Sequence, residues 1–227
     1  METFDFGNGP VAAHQHPNGG GWVADTAYVA EAVYVGPDAW VYGSARVCGS
    51  ASVYGNARVY GTARVSGSAR VSGTARVCGS ARVYGSAYVY GSARVSGSAR
   101  VCGSARVCGS ASVYGNARVY GTASVYGNAR VYGTARVSGS ARVSGTARVC
   151  GSARVCGSAY VYGNAGGYDY TAYRQEDGSV FLRYGCEAHA LDWWLEQDLP
   201  ALSQRHGHTP EHSRFVATIV ELAGHLA

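Results

Sequence analysis

Apolar and polar positions repeat along most of this chain every six residues, a period that belongs neither to a helix nor to a long strand. From Ala39 to Asn164 the sequence is an unbroken array of Ala-x-Val-x-Gly followed by Ser, Thr or Asn. The Val column begins earlier, at Val23, Val29 and Val35, and runs to Val161 without a gap, giving 24 hexads over residues 21–164. Ala and Val stand two apart, so on a short strand they point one way and the x residues point the other. Gly then takes the turn, where a side chain would be strained, and a turn-forming Ser, Thr or Asn follows. One hexad cannot bury its own Val, but stacked hexads bury a continuous Val/Ala column. The pattern predicts a parallel β-solenoid.

The ends break the pattern. Residues 1–20 hold His14-Gln15-His16-Pro17-Asn18 ahead of Gly19-Gly20-Gly21 and read as an irregular lead-in, with Trp22 and Trp40 on the rungs that start the stack. Gly166-Gly167 ends the array. Tyr168 to Tyr184 alternates apolar and polar around Glu176-Asp177-Gly178, which predicts a β-hairpin. Ala190 to Gln204 is amphipathic and predicts a helix, with a kink or break at Pro200. Thr209-Pro210-Glu211 supplies an N-cap and a first-turn Pro for a second helix running towards Ala223, with Gly224 as its stop. The division expected is a lead-in over 1–20, a solenoid over 21–164 and a small α+β cap (hairpin plus two helices) over 165–227. The last rung of a solenoid needs such an atypical unit over it.

The small-x-aliphatic element of each hexad, as in Ala45-Arg46-Val47, resembles that of the hexapeptide-repeat family. The resemblance implies an all-β solenoid: a left-handed parallel β-helix with three hexads to each triangular coil. At 18 residues per coil, residues 21–164 make eight coils, about 38 Å long at about 4.8 Å per coil. One departure is consistent: the family places Gly directly after the aliphatic residue, whereas here it comes two later, as in Val47-Cys48-Gly49. The whole arrangement is similar to hypothetical hexapeptide-repeat proteins of phage and bacterial genomes. Acyltransferases of the family use a solenoid His as general base, often beside a loop excursion. No His lies between His16 and His189 here, and residues 39–164 carry no insertion. That leaves acyl transfer as an expectation from resemblance alone, and the same absence argues against the family's carbonic-anhydrase-like branch.

Composition sharpens the picture. Gly supplies 33 residues and Tyr 18, charged residues are only 15%, and all 19 basic side chains are Arg. No apolar run approaches the roughly 18 residues of a membrane span, and the N-terminus lacks the basic and apolar regions of a signal peptide. Between Asp38 and Asp169 there is no acidic residue, so the array carries +15 while all 14 carboxylates lie outside it. Dealing hexads to three faces in turn lines up Arg46, Arg64, Arg82, Arg100, Arg118, Arg136 and Arg154 in consecutive coils. A second face carries Arg58, Arg76, Arg94, Arg130 and Arg148, interrupted by Ser112. The third alternates Ser52, Arg70, Tyr88, Arg106, Ser124, Arg142 and Tyr160, with Tyr54, Tyr90, Tyr126 and Tyr162 beside them. Residues 57–91 and 129–163 are identical except that Tyr84 becomes Cys156, and their offset of 72 residues is four coils, so a duplication keeps every side chain on its face.

Two readings of the Arg rows stand side by side. Guanidinium forks bind phosphate or carboxylate and Tyr faces stack on bases or sugars, so Arg46 to Arg154 with Tyr88, Tyr90, Tyr160 and Tyr162 form a candidate site for a polyanion, either nucleic acid or an acidic glycan. Alternatively, Arg on a flat rung keeps a β surface soluble, and duplication multiplied it. Thr62, Thr74, Thr122, Thr134 and Thr146 sit at corners, which fits ice binding poorly. Six cysteines (Cys48, Cys78, Cys102, Cys108, Cys150 and Cys156) share the second outward column, too far apart on any one face for a disulfide or a shared metal, and unpaired thiols suit a reducing cytoplasm. His14 and His16, the Cys186/His189 pair, and His206, His208 and His212 bring no metal or catalytic set together by spacing. His189 and Asp192 are expected to open the helix that carries Trp193 and Trp194 over the final coil. The expectation is a non-catalytic scaffold or binding module without cofactor, metal or membrane partner. A homo-oligomer would form through solenoid faces or through the tail helices with Leu191, Trp194, Leu195, Phe215, Ile219 and Leu222.

Overall fold

The structure is a computed structural model that describes residues 2–162, 170–174, 179–184, 187–205 and 220. Short rungs, β3 (Trp22–Ala24) through β26 (Tyr160–Tyr162), follow one another at six-residue intervals. Each pairs in parallel with the rung three further on, which deals them into three sheets of eight rungs each. The hexads thus wind into the parallel β-solenoid of eight coils that their spacing predicts. We call the sheet beginning with β3 the tryptophan face. The sheet from β4 (Tyr28–Val29) to β25 (Arg154–Val155) is the arginine face, and that from β5 (Tyr34–Val35) to β26 is the tyrosine face.

The coil is held by its backbone. Arg82 N donates to Ala99 O at 2.9 Å and Tyr84 N to Val101 O at 3.0 Å, and the same step recurs coil after coil. Each turn therefore satisfies the next one's carbonyls, as buried backbone requires. The corner glycines from Gly43 to Gly157 all have positive φ. Inside, the Ala and Val columns form one continuous buried cluster from Val23 to Val161. Outside, no Arg of the array is buried.

At the N-terminus the structure corrects the expectation of an irregular lead-in. Residues Thr3–Asp5 (β1) and Pro10–Gln15 (β2) form an antiparallel hairpin, and β2 pairs antiparallel with β3, extending the tryptophan face by two strands. Asp5 Oδ1 accepts from the Gly7 and Gly9 amides at 2.7 and 3.0 Å and so ties the turn. Aromatic burial drives the docking: Phe4 stacks on Trp22 at 4.4 Å and Phe6 on Tyr42 at 4.9 Å. The glycines at 19–21 cover the start of the tyrosine face, where Gly21 N donates to Val35 O and Val35 N to Asn18 O, both at 2.9 Å.

At the other end the tyrosine face continues into antiparallel strands β27 (Tyr170–Arg174), β28 (Val180–Tyr184) and β29 (Glu187–Ala190). The first two are the expected hairpin. Helix α1 (Leu191–Glu196) follows at once, and α2 (Leu199–Arg205) begins after a break, with Pro200 in its first turn and Asp198 Oδ1 accepting from Ala201 N at 3.2 Å. The expected role of the tryptophans needs correction. Trp194 is buried in a separate cluster with Val180, Leu182, Leu191 and Leu202, and its Nε1 donates to Leu182 O at 2.9 Å. The ring closes over the added strands rather than over the last solenoid coil. His189 belongs to β29 and stacks on Trp193 at 3.6 Å, while Ala190 occupies the N-cap of α1. The hairpin turn at 176–178, the glycines at 166–167, Cys186, the helix expected over 209–223 except for Val220, which is helical and buried with Trp194, and the histidines at 206, 208 and 212 lie outside the described residues.

Candidate functional site

The arginine face carries the row that the hexad phase predicts. Arg46, Arg64, Arg82, Arg100, Arg118, Arg136 and Arg154 are paired rung to rung without a slip. Their spacing is one coil, about 4.8 Å, so the row is about 29 Å long. The carboxylates of the sequence lie outside the array, and among the described residues the one salt bridge joins His14 to Asp25. No guanidinium of the row has a protein carboxylate or a hydrogen-bond acceptor among the described residues. Arg46 sits over an aromatic ring, with its Cζ 5.3 Å from the Tyr28 centroid. On the tryptophan face Arg58 sits over Trp40 at 4.0 Å. Like charges in register disfavour a sheet by a few tenths to about 1 kcal/mol per pair, so the backbone and the Val column hold the row against its own repulsion.

Face assignment separates the aromatic residues expected to act with this row from the row itself. Tyr88, Tyr90 and Tyr160 are on the tyrosine face, half-buried and engaged with neighbours; Tyr162 is paired there by its backbone, and its side chain lies outside the described residues. The rings that accompany the Arg row are Tyr84 and Tyr120, two coils apart, 39% and 38% exposed. The hexad phase already contained them: each stands two residues after a row Arg, at Arg82 and Arg118. The Cys102 side chain beside Tyr84, together with burial, raises its pKa above the usual phenol value.

The tyrosine face holds two copies of a hydroxyl bridge. Tyr54 Oη lies 2.9 Å from Tyr88 Oη, and Ser72 Oγ donates to Tyr88 Oη at 3.3 Å. Four coils on, Tyr126 and Tyr160 lie 3.5 Å apart and Ser144 donates to Tyr160 at 3.1 Å. Tyr88 thus leans back over Ser72 towards Tyr54, which is why Ser72 is only 5% exposed on an outward column; Ser144, at 1%, repeats the effect. Accepting from Ser72 and Tyr54 lowers the Tyr88 pKa, and bonding to Tyr88 raises that of Tyr54.

The remaining candidates are placed as follows. The six array cysteines form no disulfide; five are half-buried and Cys156 is exposed. His14 acquires an acidic neighbour that spacing did not suggest, Asp25 at 2.8 Å, because β2 pairs with β3. His16 is buried at 3% and its ring bonds the Asn18 backbone instead. Among the described residues no three His, Cys, Asp or Glu side chains gather as a metal site would need. No helix among them is long and apolar enough to cross a membrane.

The family described as YdcK beta-solenoid repeat has a model that matches residues 51–67, 57–73, 111–127, 123–139 and 129–145, windows of about one coil each. No curated protein and no solved structure matches the chain.

Proposed function

We propose that this β-solenoid repeat protein, read as a hexapeptide-repeat scaffold without catalytic function, binds an extended polyanion along its arginine face. Single-stranded nucleic acid is the class that fits best. One observation carries the reading: seven guanidiniums in register, with no carboxylate or acceptor of the protein's own among the described residues. Such a row offers bidentate donors at a regular interval to phosphates, and each contact releases condensed counterions. Tyr84 and Tyr120 supply exposed rings beside the row, and stacking on rings is worth about 1–3 kcal/mol per base without regard to sequence. A B-form strand spaces phosphates about 3.4 Å along its axis, out of step with a 4.8 Å row, whereas a flexible single strand can adjust. The conflict between charge repulsion and fold stability along this face is also the kind of local cost that functional surfaces carry.

The test is binding of a labelled oligonucleotide as salt is varied. Replacing Arg82, Arg100 and Arg118 together by Ser, a residue the same hexad position already accepts on the other two faces at Ser52, Ser112 and Ser124, is expected to weaken binding. It should also make the slope of log affinity against log salt shallower by about 2, at about 0.7 per phosphate contact. Tyr84→Leu with Tyr120→Leu should weaken binding while leaving that slope unchanged. Equal affinity of the triple variant and the parent would overturn the role of the row, and a duplex bound more tightly than a single strand would overturn the choice of class.

A further inference from the structure

The tyrosine face differs from the other two in a way that the nucleic-acid reading does not use. From the first coil to the eighth its outward column reads Tyr34, Ser52, Arg70, Tyr88, Arg106, Ser124, Arg142, Tyr160, in continuous parallel register. Arg occupies the third, fifth and seventh coils and never two in succession. We infer that this face is a self-complementary interface by which two copies of the chain pair face to face, with their solenoid axes antiparallel. The proposal is independent of the arginine face, which stays outside such a dimer.

A two-fold axis that lies between two copies, perpendicular to the solenoid axes and midway between the fourth and fifth coils, sets the first coil opposite the eighth, the second opposite the seventh, and so on. Arg70 then meets Ser124 of the other copy, Arg142 meets Ser52, and Arg106 meets Tyr88, each pair occurring twice as a two-fold contact demands. No guanidinium opposes another. At the centre, where interface energy concentrates, Arg106 lies over the Tyr88 ring in both directions and Tyr90 meets the small Cys108. The same operation on the arginine face opposes Arg82 with Arg100, Arg64 with Arg118 and Arg46 with Arg136. On the tryptophan face it opposes Arg76 with Arg94 at the centre. Two-coil alternation in the outward column is thus what makes one face of three able to meet itself.

Two further features suit that face to burial. Six of its hydroxyls are already partnered, Tyr54 and Ser72 with Tyr88, and Tyr126 and Ser144 with Tyr160, so covering those six costs no hydrogen bond that water alone supplied. Aromatic side chains and Arg are the residue types enriched at protein interfaces, and the hexad array carries no insertion between Ala39 and Asn164 that would hold two copies apart. The guanidiniums of the two copies interleave rather than meet, and they stay one coil apart as on the arginine face. Their residual repulsion is long-range and screened by salt. The dimer must therefore tighten as salt rises, the opposite of nucleic-acid binding.

Sedimentation or light scattering on the full chain, as sodium chloride is raised from about 0.05 to about 0.5 M, tests this. The expected result is a dimer mass whose fraction rises with salt. Tyr88→Arg puts Arg opposite Arg106 at two symmetric places and should halve the mass. It uses a residue this column already accepts on the neighbouring rungs at Arg70 and Arg106, and circular dichroism checks that the solenoid remains. Ser112→Arg adds the same charge on the tryptophan face and should leave the dimer intact. A monomer at every salt concentration, a dimer that weakens with salt, a dimer indifferent to Tyr88→Arg, or one lost equally with Ser112→Arg would each overturn the proposal. A parent protein that dimerises but binds no oligonucleotide would instead overturn the arginine-face reading alone.

Discussion

At the corner beside Arg94, Gly97 has φ of +63° and a Cβ placed there would lie 2.9 Å from the Gly115 amide nitrogen. Both the left-handed backbone and the next coil's main chain exclude a side chain, so Gly97→Ala should destabilise the solenoid by more than about 1 kcal/mol, read as a lower denaturation midpoint. A second residue makes a pH statement. The Cys78 side chain beside Tyr60, with burial next, pushes its phenol up to about 12. The folded state therefore holds the proton more tightly than the unfolded chain, whose phenol titrates near 10. The stability from this group is complete below pH 10 and is lost as pH rises towards 12. Cys78→Ala should return one tyrosine of the tyrosinate absorbance titration towards its ordinary value; an unchanged curve would refute the influence of Cys78. These residue-scale facts mark the limit of reading the sequence. The hexad phase assigns Tyr88 to its column and face without error, but not its lean over Ser72 or its hydroxyl partners, which depend on rotamer choice among neighbours two coils away. The order of the row from Arg46 to Arg154 is legible in the hexad phase, and so is the place of Tyr84 and Tyr120 beside it, two residues after Arg82 and Arg118.

Among the elements, the rungs were legible because each hexad repeats one decision: inward Ala and Val, outward x, a glycine corner. The N-terminal hairpin was not, because strands of three and six residues carry too little alternation to stand against a glycine-rich background. Its signals were nevertheless present in Phe4 and Phe6, two apart, and in Gly7-Asn8-Gly9-Pro10 between the strands. What fixes the hairpin is tertiary: Phe6 is only 5% exposed against a surface built by Trp22, Trp40 and Tyr42 from two different coils. Phe6→Ala should cost about 3 kcal/mol at that end. Since each coil contacts only its neighbours, the loss should stay local. Hydrogen exchange is expected to quicken in β1, β2 and β3 and to remain slow at Val101 and Val119; uniform quickening would show that the solenoid opens as one unit.

For the whole molecule, phase is the quantity that joins fold to function. Stability is a sum over neighbouring coils and is nearly blind to which rung stands above which, since every rung presents Val inward. The outward rows are not blind to it. Removing residues 93–110, three hexads, deletes one coil and leaves Arg46, Arg64, Arg82, Arg118, Arg136 and Arg154 as six guanidiniums in succession. Removing residues 99–110, two hexads, shortens the chain less yet moves every later rung to another face. The row then runs Arg46, Arg64 and Arg82 before Ser112 interrupts it, and no face keeps more than three Arg in succession. Both variants should fold with similar circular dichroism, and the smaller deletion should weaken oligonucleotide binding more and flatten its salt dependence further. If affinity followed the number of Arg left in the chain instead of the length of the unbroken row, diffuse charge would explain binding and the register would be incidental. The four-coil duplication points the same way: 72 residues is a whole number of coils, so the copying that lengthened the solenoid also lengthened its rows without breaking their order.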